Sequence, residues 1–207
     1  MLLHSGHLLM LSKQAYERSL QQSWEAMASI VLSAISFECF VNECEERLES
    51  EYLNQRLDQL STLRDTLNIL EEERASLLTK VDAMHLALVG SRIDRGKLPF
   101  QDVRFLFELR NAFVHRRPER FEWEFENPDR EYEPHKFVRY LTQRGIVQKP
   151  NPKNPPSWSQ YVLVPETARW AHNTVVVVSK DIVSWFPAGN FKTTTEFMFR
   201  EWTEIVI

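Results

Sequence analysis

A long stretch without helix breakers limits what this chain can fold into. From Leu11 to Ser50 the sequence contains no Gly or Pro. Apolar residues recur there at a spacing of three and four, which is typical of a helix that packs one face against other helices. We therefore predict a long core helix over this stretch. Its apolar face consists of Trp24, Met27, Val31, Ala34, Val41 and Leu48.

The same apolar spacing continues from about Leu53 to Val89 and predicts a second helical region. A break is expected near Glu71 to Glu73, and Gly90 is a typical stop signal. After a loop, residues 99–116 are predicted to form a third helix, which Pro118 closes.

The pattern changes at residues 118–160, which are predicted to be an insertion that is largely non-helical. Aromatic residues alternate with glutamates over residues 121–126, and this is the period of a β-strand. Pro134 can begin a short helix that runs to about Arg144. A Pro-rich loop follows it.

A fourth long helix is predicted from Pro165 to Trp185. The run from Val175 to Val178 has poor helix propensity, so a strand over residues 174–184 is the alternative. Residues 187–207 are predicted to be an extended C-terminal tail. Together these elements predict one mostly α domain over residues 1–207.

Charge, hydropathy and cysteine content exclude several classes of protein. The formal net charge of −4 argues against binding nucleic acid through overall charge, but it leaves a local basic patch open. No run of about 18 apolar residues is present, so no membrane span is expected. The N-terminus lacks the basic region and cleavage site of a signal peptide. Cys39 and Cys44 are too far apart on one helix for a disulfide, which suits a reducing cytoplasm.

The third predicted helix carries a polar stripe that a helix used only for packing does not need. Residues three, four and seven apart share a helix face, and this spacing joins Arg104, Glu108, Asn111 and His115. Arg110 lies on the flank of the stripe, about 100° from Asn111. The predicted apolar side consists of Phe105, Leu106, Leu109, Ala112 and Phe113.

These polar side chains suit the cleavage of RNA without a metal ion. The 2′-hydroxyl attacks the adjacent phosphate when a base accepts its proton and an acid protonates the leaving oxygen. The imidazole of His115 can perform either step near neutral pH. Arg110 can stabilise the charge that grows on the phosphoryl oxygens, and Asn111 can orient the histidine or bind a phosphate oxygen. The alternative is a stripe that is simply solvated.

The segment Arg110-Asn111-Ala-Phe-Val-His115 resembles the signature of the HEPN superfamily of α-helical domains. That signature is an arginine, usually followed by a polar residue, with a histidine five positions after the arginine. SAISFECFVNE, at residues 33–43, is similar to the family's first helix. IDRGKLPFQDVRFLFELRN is similar to the stretch before the motif in several members. The resemblance covers about residues 24–120 and a final helix, and it implies an antiparallel four-helix bundle.

The resemblance also implies a function. Active members are metal-independent endoribonucleases that leave a cyclic phosphate, and they work as dimers in which the arginine and histidine of both chains meet in a cleft. Many are toxins or antiphage effectors, often paired with an antitoxin such as a nucleotidyltransferase. Arg110 would then stabilise phosphoryl charge, and His115 would be the acid-base group. Some members have lost cleavage, so a dimeric scaffold that binds a partner protein or a nucleotide is the alternative.

Glu38 interrupts the apolar stripe of the first predicted helix. A buried carboxylate needs a partner, and Glu38 could support Arg110 from that helix, with Asn42 one turn further on the same face. The alternative is that Glu38 lies at the edge of the bundle and reaches water. The cations that could contact the RNA backbone are Arg104, Arg116, Arg117 and Arg120.

Other residues that could bind ligands are weaker candidates. The aromatics of residues 121–126 are expected to pack a strand on the bundle rather than stack on bases, because the alternating glutamates repel phosphate. His4 and His7 have a metal-like spacing without further ligands, and we expect a mobile N-terminus there. Three isolated histidines receive no role: His85, His135 and His172.

Overall fold

The computed structural model describes residues 4–48, 58–115, 134–151, 157–188, 192–193, 196 and 205–206. Over these ranges the chain forms eight α-helices and no strand, which confirms the prediction of a mostly α fold. In chain order the helices are α1 (His4–Ser19), α2 (Glu25–Leu48), α3 (Asp58–Glu72), α4 (Leu77–Val89), α5 (Phe100–Val114), α6 (Lys136–Gln143), α7 (Trp158–Val162) and α8 (Pro165–Trp185).

α2 is the central helix, since it packs against α1, α3, α4, α5 and α8. Ile30, Ala34 and Phe37 on α2 are completely buried. By length and composition, residues 25–46 could also cross a membrane, with a mean hydropathy of 1.4. This is weak evidence for a span, because 56% of that apolar window is buried inside the fold, as expected of a core helix.

The predicted helix from Leu11 to Ser50 is wrong in one respect, because the chain turns back at residues 20–24 and forms two helices. The Ser19 hydroxyl donates to the carbonyl oxygen three residues earlier, at 2.6 Å, and this bond competes with helix continuation. The turn also exposes two residues that were predicted to lie in the core. Trp24 is 61% exposed and Met27 is 40% exposed.

The break predicted near residues 71–73 is present, since residues 73–76 separate α3 from α4. Ser76 caps α4 by accepting a hydrogen bond from the backbone N–H of Thr79 at 3.3 Å. Gly90 ends the helix at φ +84°, in the left-handed region that favours glycine. Local sequence signals therefore define both ends of α4.

α8 confirms the predicted fourth helix and shows that the alternative strand over residues 174–184 is wrong. Pro165 occupies the first turn, where its fixed φ favours a helix start. Val175, Val176 and Val178 are at most 1% exposed. Burial of these side chains in the core therefore outweighs their poor helix propensity.

The segment at residues 118–160, expected to be largely non-helical, contains helical residues. α6 confirms the predicted short helix from Pro134 to about Arg144. α7 was not predicted, although it begins with a capping box between Ser157 and Gln160. The strand predicted within this segment lies outside the described residues.

The expected mobile N-terminus is wrong from His4 onward, because α1 begins there. Glu43 on α2 is 7% exposed, and its carboxylate accepts hydrogen bonds from the backbone N–H of Ser5 at 2.9 Å and from its hydroxyl at 2.5 Å. This buried carboxylate holds the first turn of α1 against α2.

The tail predicted to be extended is described at few positions. Lys192, Thr193 and Glu196 have helical backbone, so the prediction is wrong at these residues. Further on, the Asn173 side chain of α8 pairs with the backbone of Val206 through two hydrogen bonds of 2.9 Å. Val206 is therefore held against α8.

A polar cluster lies inside the packing of α1, α2 and α8. The Ser12 hydroxyl oxygen lies 2.6 Å from that of Ser33, 3.2 Å from the carbonyl oxygen of Ser29 and 3.4 Å from Nδ1 of His172. All four residues are completely buried. His172, isolated in the sequence, therefore belongs to a hydrogen-bonded interior cluster.

Candidate functional site

α5 presents the predicted polar stripe because its opposite side is held in the core. Val103, Leu106 and Leu109 are completely buried where α5 packs against α2 and α8. Ala112 and Phe113, nearer the C-terminal end, are only partly buried. The candidate catalytic residues therefore lie where α5 emerges from the core.

Arg110 is held by hydrogen bonds at both terminal nitrogens. Its Nη2 donates to Oε2 of Glu38 at 2.9 Å, and its Nη1 donates to Oδ1 of Asn111 at 2.9 Å. The side chains of Arg110 and Glu38 are 22% and 46% exposed. Glu38 thus makes the contact proposed from its place in the apolar stripe and also reaches water. The guanidinium keeps a fixed orientation and retains access to solvent.

His115 is exposed and follows the last residue of α5. Its backbone N–H donates to the carbonyl oxygen of Asn111 at 2.9 Å, which continues the helical hydrogen bonding by one residue. The side-chain oxygen of Asn111 binds Arg110. Asn111 therefore links the two candidate residues, through its side chain to Arg110 and through its backbone to His115.

Asn42 contacts α4 rather than following Glu38 toward Arg110. Nζ of Lys80 lies 3.4 Å from Oδ1 of Asn42 and 3.0 Å from Oε2 of Glu45, and it also binds Glu71. Burial lowers the pKa of Lys80, but the hydrogen bonds to Glu71 and Glu45 outweigh it and raise the pKa overall. The expected support of Arg110 by Asn42 is thus replaced by a contact with a buried, charged lysine.

Arg104 and Glu108 form the other end of the polar stripe. Nε of Arg104 lies 3.4 Å from Oε1 of Glu108, and Nζ of Lys136 on α6 lies 2.8 Å from Oε2. The hydrogen bond from Lys136 lowers the pKa of Glu108 against the opposing effect of burial. Lys136 could not be found from the sequence, because no local signal shows that α6 packs beside α5. Three further candidate cations lie outside the described residues: Arg116, Arg117 and Arg120.

A second carboxylate on α5 holds the other end of α6. Asp102 accepts a hydrogen bond of 2.6 Å from the Tyr140 hydroxyl and a bond of 3.0 Å from Nη2 of Arg144. Burial and the hydrogen bond to Asp102 raise the pKa of Tyr140 well above its usual value. The Tyr140 ring also stacks on Phe105, with ring centroids 3.8 Å apart. These contacts fix the position of α6, and with it the position of Lys136.

Stacked aromatic rings connect the last turn of α5 to α6 and α7. The ring of Phe113 stacks on Trp158 with centroids 5.5 Å apart, and His135 stacks on the same indole at 4.9 Å. Trp158 is 8% exposed, whereas His135 is exposed. The aromatics of residues 121–126 lie outside the described residues. The stack packs α7 close to the end of α5 that carries His115.

The thiol beside Glu38 is a poor nucleophile. Burial, together with the carboxylates of Glu43 and Glu38, raises the pKa of the Cys39 thiol.

Elsewhere, the Nδ1 atom of His85 lies 2.5 Å from the carbonyl oxygen of Ser91. Within the described ranges no three His, Cys, Asp or Glu side chains come together as a metal ion would need.

The geometry thus unites Arg110, Asn111 and Glu38 in one hydrogen-bonded group and leaves the His115 side chain exposed directly after the last residue of α5. In comparisons with known proteins, no family model, no curated protein and no solved structure matches the chain.

Proposed function

We propose that this chain is a HEPN-type endoribonuclease that acts as a homodimer in the cytoplasm and serves as a toxin or antiphage effector. One observation supports this function above the others. The Arg110 guanidinium is fixed at both terminal nitrogens, close in sequence to an exposed histidine. A guanidinium fixed in advance needs little reorganisation when negative charge develops on a phosphate.

In the proposed reaction the 2′-hydroxyl oxygen of RNA forms a bond to the adjacent phosphorus, and the bond from phosphorus to the 5′-oxygen of the next nucleotide breaks. The imidazole of one His115 accepts the hydroxyl proton, and a protonated imidazole gives a proton to the leaving oxygen. The products are a 2′,3′-cyclic phosphate and a 5′-hydroxyl. Arg110 donates to the phosphoryl oxygens through the transition state.

Helix geometry favours a site that two chains build together. Five residues of helix separate the Cα atoms of Arg110 and His115 by about 140° around the axis and about 7.5 Å along it. The two side chains therefore leave α5 in different directions. A two-fold axis near this end of α5 would bring Arg110 of one chain toward His115 of the other. An antitoxin such as a nucleotidyltransferase would be the expected partner of this dimer.

A second candidate function is a non-catalytic dimeric scaffold that binds a partner protein or a nucleotide. One observation favours it. Lys136 on α6 forms an ion pair with Glu108, so part of the polar stripe of α5 is already occupied.

The test is expression of the wild type beside His115→Ala and Arg110→Ala, with cell growth and total RNA followed together. We expect growth arrest and fragments with cyclic-phosphate ends from the wild type alone. Cleavage by either variant, measured with purified protein and RNA, should fall by at least about 100-fold. His4→Ala and Arg92→Ala are matched controls, because both residues are exposed and lie outside the site.

The scaffold function predicts no cleavage of RNA and no difference in toxicity between the wild type and the variants. Purified wild type of intact fold that cleaves no RNA, and that is no more toxic than His115→Ala, would contradict the ribonuclease. Retention of a dimer and binding of a protein or nucleotide by that same sample would then support the scaffold.

A further inference from the structure

Two cations beside the proposed cleavage site have no part in the reaction described above. Arg104 on α5 and Lys136 on α6 both contact the carboxylate of Glu108, at 3.4 and 2.8 Å. The side chains of the two cations are 62% and 54% exposed. Two positive charges and one negative charge leave this cluster positive, although the whole chain has a net charge of −4.

The cluster shares a face of α5 with His115. Glu108 precedes His115 by seven residues, which corresponds to about two helical turns and about 10 Å along the axis. An RNA strand that is bound at His115 and follows α5 toward its N-terminus therefore passes Arg104 and Lys136.

Glu108 is the group that a phosphate would have to replace. The hydrogen bond from Lys136 lowers the pKa of Glu108, so the carboxylate is ionised near neutral pH. It therefore occupies both cations and repels an approaching phosphate. Exposed ion pairs of this kind contribute little to stability, so a phosphate can displace the carboxylate without loss of the fold.

We propose that Arg104 and Lys136 form a phosphate-binding site for the RNA strand next to the cleavage site, and that the Glu108 carboxylate occupies this site until a phosphate displaces it. The inference rests on the proposed ribonuclease function and extends it to the way in which the strand is held. A purely structural role for the ion pair makes the opposite forecast for loss of Glu108. If the ion pair is purely structural, loss of Glu108 loosens α6 and weakens the binding of RNA. Our proposal expects instead that loss of Glu108 makes both cations available and strengthens the binding of RNA.

The experiment measures binding of a short fluorescent 2′-O-methyl RNA by anisotropy over a range of salt concentrations. This probe lacks the attacking hydroxyl, so binding is observed without cleavage. Lys136→Gln should bind more weakly, with a slope of log K against log salt that is shallower by about 0.7, the value for one phosphate contact to a single strand. Glu108→Gln should bind several-fold more tightly at low salt. Lys136→Arg keeps the charge and should keep the slope.

Arg18→Gln is the matched control, because this arginine is 56% exposed, is paired with the carboxylate of Glu25 at 3.3 Å and lies on α1, outside the proposed path of the strand along α5. Its slope should equal that of the wild type, and circular dichroism should show melting midpoints that differ from that of the wild type by no more than about 4 °C, the shift that a loss of about 1 kcal/mol causes in a chain of this size. The inference is overturned when Lys136→Gln binds like the wild type, when Glu108→Gln binds more weakly, or when Lys136→Arg behaves like Lys136→Gln.

The two proposals fail in different ways. Wild type that cleaves RNA, with a Lys136→Gln slope unchanged from it, overturns the phosphate site alone. Wild type that binds the probe with the expected slopes but cleaves no unmodified RNA overturns the cleavage and supports the phosphate site. Wild type that binds no probe even at low salt and also cleaves no unmodified RNA overturns both.

Discussion

Two carboxylates on α5 each bind α6, and they differ in their access to water. The Asp102 side chain is 9% exposed and binds Arg144 and Tyr140. The Glu108 side chain is 37% exposed and binds Lys136. Removing a partner from a buried pair leaves a charge without compensation, whereas an exposed pair exchanges easily with water and ions. Of the contacts between α5 and α6, those of Asp102 therefore support the fold. The contact of Glu108 can break when a ligand binds in its place.

The largest expected effect comes from the buried pair. Asp102→Ala removes the acceptor for Tyr140 and Arg144 and should lower the free energy of unfolding by about 2–3 kcal/mol, less than for a fully buried pair because Arg144 is partly exposed. Urea unfolding measures this loss, and an m-value equal to that of the wild type shows that only the stability has changed. Glu108→Ala is the matched control, with an expected loss below about 1 kcal/mol. Equal losses in the two variants would contradict the distinction drawn from burial.

An intermediate effect is expected from Tyr140→Phe. At neutral pH the lost hydrogen bond to Asp102 should cost about 1–2 kcal/mol. Burial and that bond raise the pKa of Tyr140 in the folded state. The unfolded chain therefore releases the phenol proton first, so this stabilisation is complete below about pH 10 and is lost as the pH rises further. The free energy of unfolding of the wild type should therefore fall as the pH rises above that value.

Tyr140→Phe should lack this contribution to the alkaline loss. Tyr161→Phe, which removes a phenol that donates to a backbone carbonyl at 2.7 Å, is the control and should keep it. Identical alkaline unfolding of the wild type and Tyr140→Phe would show that Tyr140 is not protected in this way.

The smallest effect is expected from Glu108→Gln, which should lower the free energy of unfolding by less than about 1 kcal/mol. Because the hydrogen bond from Lys136 lowers the pKa of Glu108, its contribution is present above about pH 4.3 and is lost as the pH falls through the lowered pKa. High salt should screen this contribution but leave that of Asp102. Urea unfolding at low and high salt tests this. If the free energy lost in Glu108→Gln were the same at both salt concentrations, Glu108 would behave like the buried Asp102.

The parts of the fold that could be predicted are those with local signals. The apolar period of α5 and the proline at the start of α8 lie within single segments, and both helices were predicted. The turn between α1 and α2 contains neither Gly nor Pro. The two helices that it joins are held together by contacts between residues distant in the sequence, such as that between Ser12 and Ser33, which no local pattern shows.

In the candidate site, too, one contact could be predicted from the sequence and another could not. Glu38 could be connected with Arg110, because an acid within an apolar stripe needs a partner. Lys136 could not be connected with Glu108, since the position of α6 depends on long-range contacts. These are the stacking of Tyr140 on Phe105 and the bonds from α6 to Asp102.

The buried cluster of Ser12, Ser33 and His172 has a consequence for the site itself. The Ser12 hydroxyl on α1 contacts the side chains of Ser33 on α2 and His172 on α8, so a shift of α2 along α1 by one residue would break the contact between Ser12 and Ser33 in the core. The cluster therefore defines one axial register for the three helices. Glu38 lies on α2 five residues after Ser33, so we infer that serines deep in the interior set where the guanidinium of Arg110 is held.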